Sequence, residues 1–242
     1  MKAAVLFSGG KDSTYAALAA KRDGELECVI TLFPESDMSY MFHYPNLKWT
    51  SLQAESMGIP QVIGRTKGVK EEELSDLREA VASAKHTFGI DSLYTGALAS
   101  VYQKTRVERV CDDVGLRCVS PFWHVDPELH LRNLLREGFV FTVVSVSALG
   151  LDESWLGRVV DERAVEELAG LARKYRFHAG LEGGEGETFV LDCPIFSKRV
   201  ELTKTSKSWR GDSGVLEIEE ARLAPKPSRK EEAASSRAQG LP

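Results

Sequence analysis

At 242 residues the chain is long enough for one large domain or two modest ones around a real core. Its 43% hydrophobic and 28% charged residues are ordinary for a soluble globular protein, and a net charge of −5 argues against a general nucleic-acid binder. The opening apolar run is too short for a signal peptide, and no stretch nears the ~18 apolar residues of a membrane span, so a cytoplasmic protein with no membrane contact is expected. Cys28, Cys111, Cys118 and Cys193 are scattered, which argues against a disulfide framework or a zinc site.

In chain order, residues 3–7 read as a buried strand, followed by a glycine turn and an alanine-rich helix over 13–22 that Gly24 ends. Residues 28–33 form a second strand, closed by Pro34. A helix over 47–57 stops at Gly58 and Pro60, and residues 61–63 open a third strand. Leu74, Leu77, Val81, Ala84 and Phe88 recur at helical spacing and share one apolar face. A fourth strand covers 91–94. Val107, Val110 and Val114 mark the buried side of the next helix, which runs into a strand near 116–119. Five strand–helix alternations imply an α/β fold, a parallel sheet with helices on both faces and ligands beyond the strands' carboxyl ends. Cys111 and Cys118 fall on elements expected to be buried.

The second half has another rhythm. Asp126 caps a helix that begins at Pro127 and ends at Gly138, residues 139–146 are strand-like and residues 162–175 helical. From Thr188 onward the pattern is mostly strand. These features predict a first domain over 1–124, a smaller α+β domain over 125–224, and a disordered tail over 225–242 that is poor in large apolar residues. Lys198, Arg199, Lys204, Lys207 and Arg210 read as the wet face of strands, with an acidic macromolecular partner or nucleic acid as the alternative.

Between the first strand and first helix lies Ser8-Gly9-Gly10-Lys11-Asp12-Ser13. Backbone N–H groups and the helix dipole favour an anion there. Gly9 and Gly10 allow close approach, Lys11 adds a charge, and Ser8 and Ser13 add hydroxyl donors. Asp12 beside phosphate oxygens calls for a bridging cation, which points to Mg²⁺. Val5 and Asp12 stand where a Walker A loop needs Gly and Ser or Thr, so this is a different phosphate loop. Three further segments carry chemistry. Residues 34–43 end in YMFH, with His43 near the expected active edge as a ligand contact or a structural hydrogen bonder. In residues 95–106, Tyr102 and Arg106 share a helical face. Arg106 suits phosphate or carboxylate oxygens and Gln103 a carbonyl or amine, or else the segment is a solvated surface helix. Residues 182–188 place Glu182, Glu185 and Glu187 around glycines, a cluster that binds a cation or takes a proton, or an acidic turn.

The loop over 8–13 resembles the SGGxDS loop of the PP-loop ATP pyrophosphatases. With the YMFH, GALASVYQKTR and EGGEGET segments in this order, the chain resembles the diphthine–ammonia ligase family over about residues 1–224. Leu181 and Gly186 depart from it, standing where the family has Gly and an aromatic residue. The resemblance implies a HUP-like five-stranded parallel sheet and a cytoplasmic enzyme using ATP and Mg²⁺. It would convert diphthine, a modified histidine on translation elongation factor 2, to diphthamide through an acyl-adenylate, with ammonia as nitrogen donor. Expected partners are that factor and ammonium, with homodimer assembly as a further option. Implied catalytic residues are Lys11, Asp12, Glu185, Glu187 and Arg106. Nucleotide contacts are Ser8, Gly9, Gly10, Lys11, Asp12, Ser13, Thr31, Leu32 and Gly96. Substrate contacts are His43, Tyr102, Gln103, Arg106, Glu182 and Glu185, and the metal ligand is Asp12. Two other readings stay open: a tRNA-modifying PP-loop enzyme, and a non-catalytic nucleotide-binding protein.

Overall fold

The computed structural model describes residues 1–34, 46–67, 72–182 and 184–227. His43 with nearly all of the 34–43 segment, and most of the expected tail, lie outside the described residues.

Five strands, β1 (Lys2–Leu6), β2 (Glu25–Pro34), β3 (Gln61–Thr66), β4 (Ser92–Tyr94) and β5 (Arg117–Val119), form one sheet in the order β3-β2-β1-β4-β5. All pairings within it are parallel. The chain steps outward from β1 to β3, then crosses back to build β4 and β5 on the other side. The order therefore reverses between β1 and β4, the point at which loops from neighbouring strands diverge and leave a crevice. Helices α1 (Lys11–Asp23), α2 (Thr50–Met57), α3 (Glu72–Phe88) and α4 (Val101–Val114) connect the strands. On one face Ala4, Ile30 and Leu32 pack against Leu77 and Val81 of α3 and Val107 and Val110 of α4. On the other, α1 packs its alanines on β1 and joins a larger core that runs into the second half.

The second half contains α5 (Pro127–Arg136), β6 (Val140–Val146), α6 (Glu162–Tyr175), β7 (Gly186–Asp192), β8 (Arg199–Arg210) and β9 (Ser213–Ala224). Its four strands form an antiparallel sheet ordered β7-β6-β9-β8. Asp126 caps α5 by accepting from Leu129 N at 2.9 Å, as the Asp-Pro sequence leads one to expect. Tyr15 of α1 stacks on Phe122 with ring centroids 4.2 Å apart, and Arg22 forks onto Glu137 at 2.8 and 2.6 Å. These contacts join α1 to the chain around α5.

Several boundaries differ from the sequence expectation for physical reasons. The helix expected over 47–57 is a 3-10 turn (Leu47–Trp49) followed by α2. Asn46 sits at φ 70° and its side chain bonds Leu216 O at 2.9 Å, while the Trp49 indole donates to Ile218 O at 2.7 Å. Partners on β9 thus set the backbone before α2. Gly24 does end α1, but in extended backbone (φ 177°), and glycine is required there because a Cβ would lie 2.3 Å from Met1 O. Cys111 is fully buried, whereas Cys118 is only half-buried at the sheet's edge strand. Lys204 of exposed β8 pairs with Glu219 at 2.5 Å. No helix among the described residues is long and apolar enough to cross a membrane.

Candidate active site at the switch point

The helix α1 begins two residues earlier than its alanine pattern indicates, at Lys11, so the glycine loop and the first helical turn are one feature. Its N-cap is Gly10, which has no side chain to cap the helix with, and the first-turn N–H of Lys11 is taken by Thr188 from outside the helix. Gly9 adopts φ 78°, a left-handed conformation that glycine takes without penalty. Ser13 Oγ accepts from Ser8 N at 3.2 Å and lies 3.2 Å from Ser8 Oγ, closing the loop on itself.

Much of what shapes this loop comes from distant chain. Val190 N of β7 donates to Gly9 O at 3.0 Å, and the buried Gln53 amide bridges Gly9 O and Val190 O at 3.0 and 2.8 Å. Lys11 N donates to Thr188 Oγ1 at 3.1 Å. From the other side the β4 loop closes in. A Cβ on Gly96 would lie 2.5 Å from the carbonyl carbon of Asp12 and 2.7 Å from Ser13 N. Only glycine permits that approach.

Between these walls is a cavity of about 480 Å³. Of the candidate residues it is lined by Ser8, Gly10, Lys11, Asp12, Ser13, Leu32, Gly96, Tyr102, Gln103, Glu182 and Glu187. Leu6, Leu32, Leu47 and Val107 give it an apolar side, while the 8–13 loop and the two glutamates supply the polar groups. Size and mixed lining are those of a small-molecule site.

Four candidates stand elsewhere. Gly9 is covered by Gln53. Thr31 is fully buried, donating to Phe7 O at 2.9 Å and accepting from Gln61 at 2.8 Å, so it braces the β1 and β2 ends rather than facing the cavity. Arg106 lies over the Tyr102 ring at 3.5 Å and reaches the cavity wall through that ring. Glu185 sits behind the wall, with one carboxylate oxygen accepting from His178 N at 3.2 Å and its main-chain oxygen from Ser147 N at 2.8 Å. Glu182 lines the cavity, yet both of its oxygens accept backbone N–H bonds, from Leu98 at 2.7 Å and Ala99 at 2.5 Å. It ties the acidic loop to the β4 loop.

Two carboxylates in the cavity are held in opposite states. Burial pushes Glu187 up to about 8, against the pull of Lys11, with the charges of Asp12 and Glu185 adding to the rise. Burial would raise Asp12 as well, but the Lys11 charge and the hydrogen bond from His130 outweigh it and hold that carboxyl below its ordinary value. Lys11, 2% exposed, places Nζ 2.8 Å from Asp12 Oδ2, and His130 places Nε2 2.8 Å from Oδ1. An ionised acid beside one that keeps its proton near neutrality is the arrangement that separates charge stabilisation from proton transfer. Sequence reasoning missed His130, Gln53 and Thr188. Thr188 sits at the end of the acidic motif; the other two carry no local signal.

The two departures also have local causes. Leu181 adopts φ 55°, left-handed backbone that costs a non-glycine residue on the order of 1–2 kcal/mol. Its side chain is 6% exposed in the main core, and such burial contributes ~1.5–3 kcal/mol, which offsets the strain. Gly186 runs so close to β6 that a Cβ would meet Ser145 O at 2.6 Å, leaving no room there for an aromatic side chain.

The chain was compared with known proteins. Residues 1–118 match the family model described as the diphthamide synthase N-terminal domain, and residues 126–224 match the diphthamide synthase C-terminal domain. A protein from Rattus norvegicus named diphthine–ammonia ligase is 32% identical over 223 residues, covering 83% of this chain and 82% of its own. The Homo sapiens protein of that name is 32% identical with the same coverage, and the one from Danio rerio is 30% identical over 90% of this chain and 92% of its own. A solved Methanocaldococcus jannaschii structure, titled a predicted subunit of tRNA methyltransferase, aligns over 80% of this chain and 98% of its own at TM-score 0.45 and 17% identity.

Proposed function

Since this chain belongs to the diphthine–ammonia ligase family and is accordingly a ligase, we propose that it amidates diphthine on translation elongation factor 2 to give diphthamide, with ATP as the activating substrate and ammonium as the nitrogen source. The observation that carries this reading is a single cavity at the switch point. Its one wall is the Ser8–Ser13 loop and its other wall is the acidic loop with Glu187. A non-catalytic nucleotide binder has no need of the second wall.

In this reading the diphthine carboxylate attacks the α-phosphorus of ATP, pyrophosphate leaves, and ammonia then displaces AMP from the acyl-adenylate to form the amide. The apolar side formed by Leu6, Leu32, Leu47 and Val107 suits a base, and the N-terminal turn of α1 suits the phosphates. Lys11 supplies a buried cation where charge develops on the leaving pyrophosphate. Each Asp12 oxygen already accepts one protein hydrogen bond and keeps a further lone pair. Asp12 therefore fits Mg²⁺ as one ligand alongside phosphate oxygens. That matches how this ion is bound when no protein cage exists, and no group of three or more metal-binding side chains occurs among the described residues. Glu187, pushed up to about 8 by burial, ionises as pH rises through that value and can then take the proton that ammonium must lose before its nitrogen attacks. The reading carries with it a cytoplasmic location and, as a separate matter for a sizing experiment, homodimer assembly.

The test is to follow nucleotide products with purified protein, Mg·ATP, ammonium and diphthine-bearing elongation factor. AMP and pyrophosphate formation that requires the factor supports the proposal. ADP as product, or AMP formation that requires tRNA instead, would remove it.

A further inference from the structure

His130 belongs to none of the motifs that mark the cavity, yet it touches the phosphate-type loop directly. It projects from α5, 1% exposed, with its ring packed against the stacked pair of Tyr15 (centroids 5.6 Å apart) and Phe122 (5.1 Å). Its Nε2 lies 2.8 Å from Asp12 Oδ1. An ionised carboxylate only accepts hydrogen bonds, so Nε2 is the donor. The other Asp12 oxygen holds Lys11 Nζ at 2.8 Å. A chain of two charge-assisted bonds thus runs from α5 through Asp12 to Lys11, across 118 residues of sequence. A histidine kept only for core packing would be satisfied by any acceptor. This one bonds the single carboxylate of the loop, on a side chain that lines the cavity.

Resting on the reading of that cavity as the Mg·ATP site, we infer that His130 is a positioning residue: it fixes the Asp12 carboxylate, and through it the Lys11 ammonium, in the orientation that receives phosphates. Without the imidazole N–H, Oδ1 is left without its buried donor. Asp12 then turns to its neighbour Lys11 alone, drawing the ammonium away from the cavity. Tyr15 and Phe122 hold the ring plane, so the Nε2–H direction is set before any ligand arrives.

The test measures Mg·ATP affinity of the full chain by calorimetry, alongside thermal unfolding. The variants are His130→Phe and His130→Leu, which lack the donor, and His130→Gln, whose amide offers an N–H from a similar place. The donor-less variants should bind Mg·ATP roughly ten- to a hundredfold more weakly, the scale of losing an outer-shell partner of a ligand. His130→Gln should recover most of that loss. In turnover assays, KM for ATP should rise while KM for the protein substrate stays unchanged. Wild-type affinity in a folded donor-less variant would overturn the inference. So would equal weakening in all three variants that tracks their loss of thermal stability. Failure of the wild-type chain to bind Mg·ATP would instead overturn the nucleotide reading, and this inference with it.

Discussion

Asp12 and Glu187 face one cavity, and what separates them is the company each keeps. Asp12 has two donors at 2.8 Å, whereas at Glu187 burial prevails over the pull of the Lys11 charge. For Glu187 the linkage sign follows directly. Between its ordinary value of 4.5 and about 8 the folded chain binds a proton that the unfolded chain has released, so stability falls as pH rises through that window. Glu187→Gln mimics the protonated acid. Urea midpoints for wild type should decline from about pH 5 to about pH 9 more steeply than those of the variant, and parallel declines would contradict the assignment. The same group should make turnover rise with pH toward about 8, a limb that Glu187→Gln abolishes. For Lys11→Ala, loss of a preorganised charge at the developing pyrophosphate should lower turnover by roughly two to three orders of magnitude. Unchanged turnover would sink the phosphate role of the loop. The loop itself was legible because its residues are contiguous. His130 and Gln53 were not, since each acts from more than forty residues away and neither has a distinctive neighbour.

Elements meet at this site through backbone, which explains what the sequence could not show. Strand–helix alternation announced the parallel sheet, and the hydrophobic spacing of α3 and α4 foretold the faces they bury. Nothing in that pattern tells that Glu182 reaches the N–H groups of Leu98 and Ala99, or that β7 pairs with Gly9. An acidic residue near a site reads as a ligand contact until its acceptor capacity is seen to be used. Glu182→Gln keeps size but can accept only through one oxygen, so the tie between the acidic loop and the β4 loop should loosen. A higher KM for ATP with a nearly unchanged melting temperature is the expected result. Gly96→Ala is a sharper test of the same junction. Its Cβ would lie 2.5 Å from Asp12 backbone, so the loop must shift. Turnover should drop by roughly a hundredfold, the scale of a ~1 Å misplacement. At the β6–β7 junction, Gly186→Ala should destabilise the fold by about 1–3 kcal/mol through overpacking against Ser145 O.

Across the whole molecule, the two sheets share one core. Tyr15, Ala16 and Leu18 of α1 belong to the same buried cluster as Leu131 and Leu134 of α5, Phe141 and Val143 of β6, and Phe189 of β7. The parallel sheet ends with β5 and the antiparallel one begins with β6, but packing runs across the chain between them without a break. Through that continuity the 8–13 loop is shaped by Thr188, Val190 and His130 from the second half. The central claim is that this composite cavity joins ammonium nitrogen to an ATP-activated carboxylate. Its most direct test supplies Mg·ATP and either ¹⁴N- or ¹⁵N-ammonium to the purified protein with diphthine-bearing elongation factor, and reads the mass of the modified residue. The account predicts a loss of about one mass unit with ¹⁴N, restored by about one unit with ¹⁵N, together with AMP release, as hydroxyl is replaced by amino. A residue whose mass is the same with either isotope would contradict it.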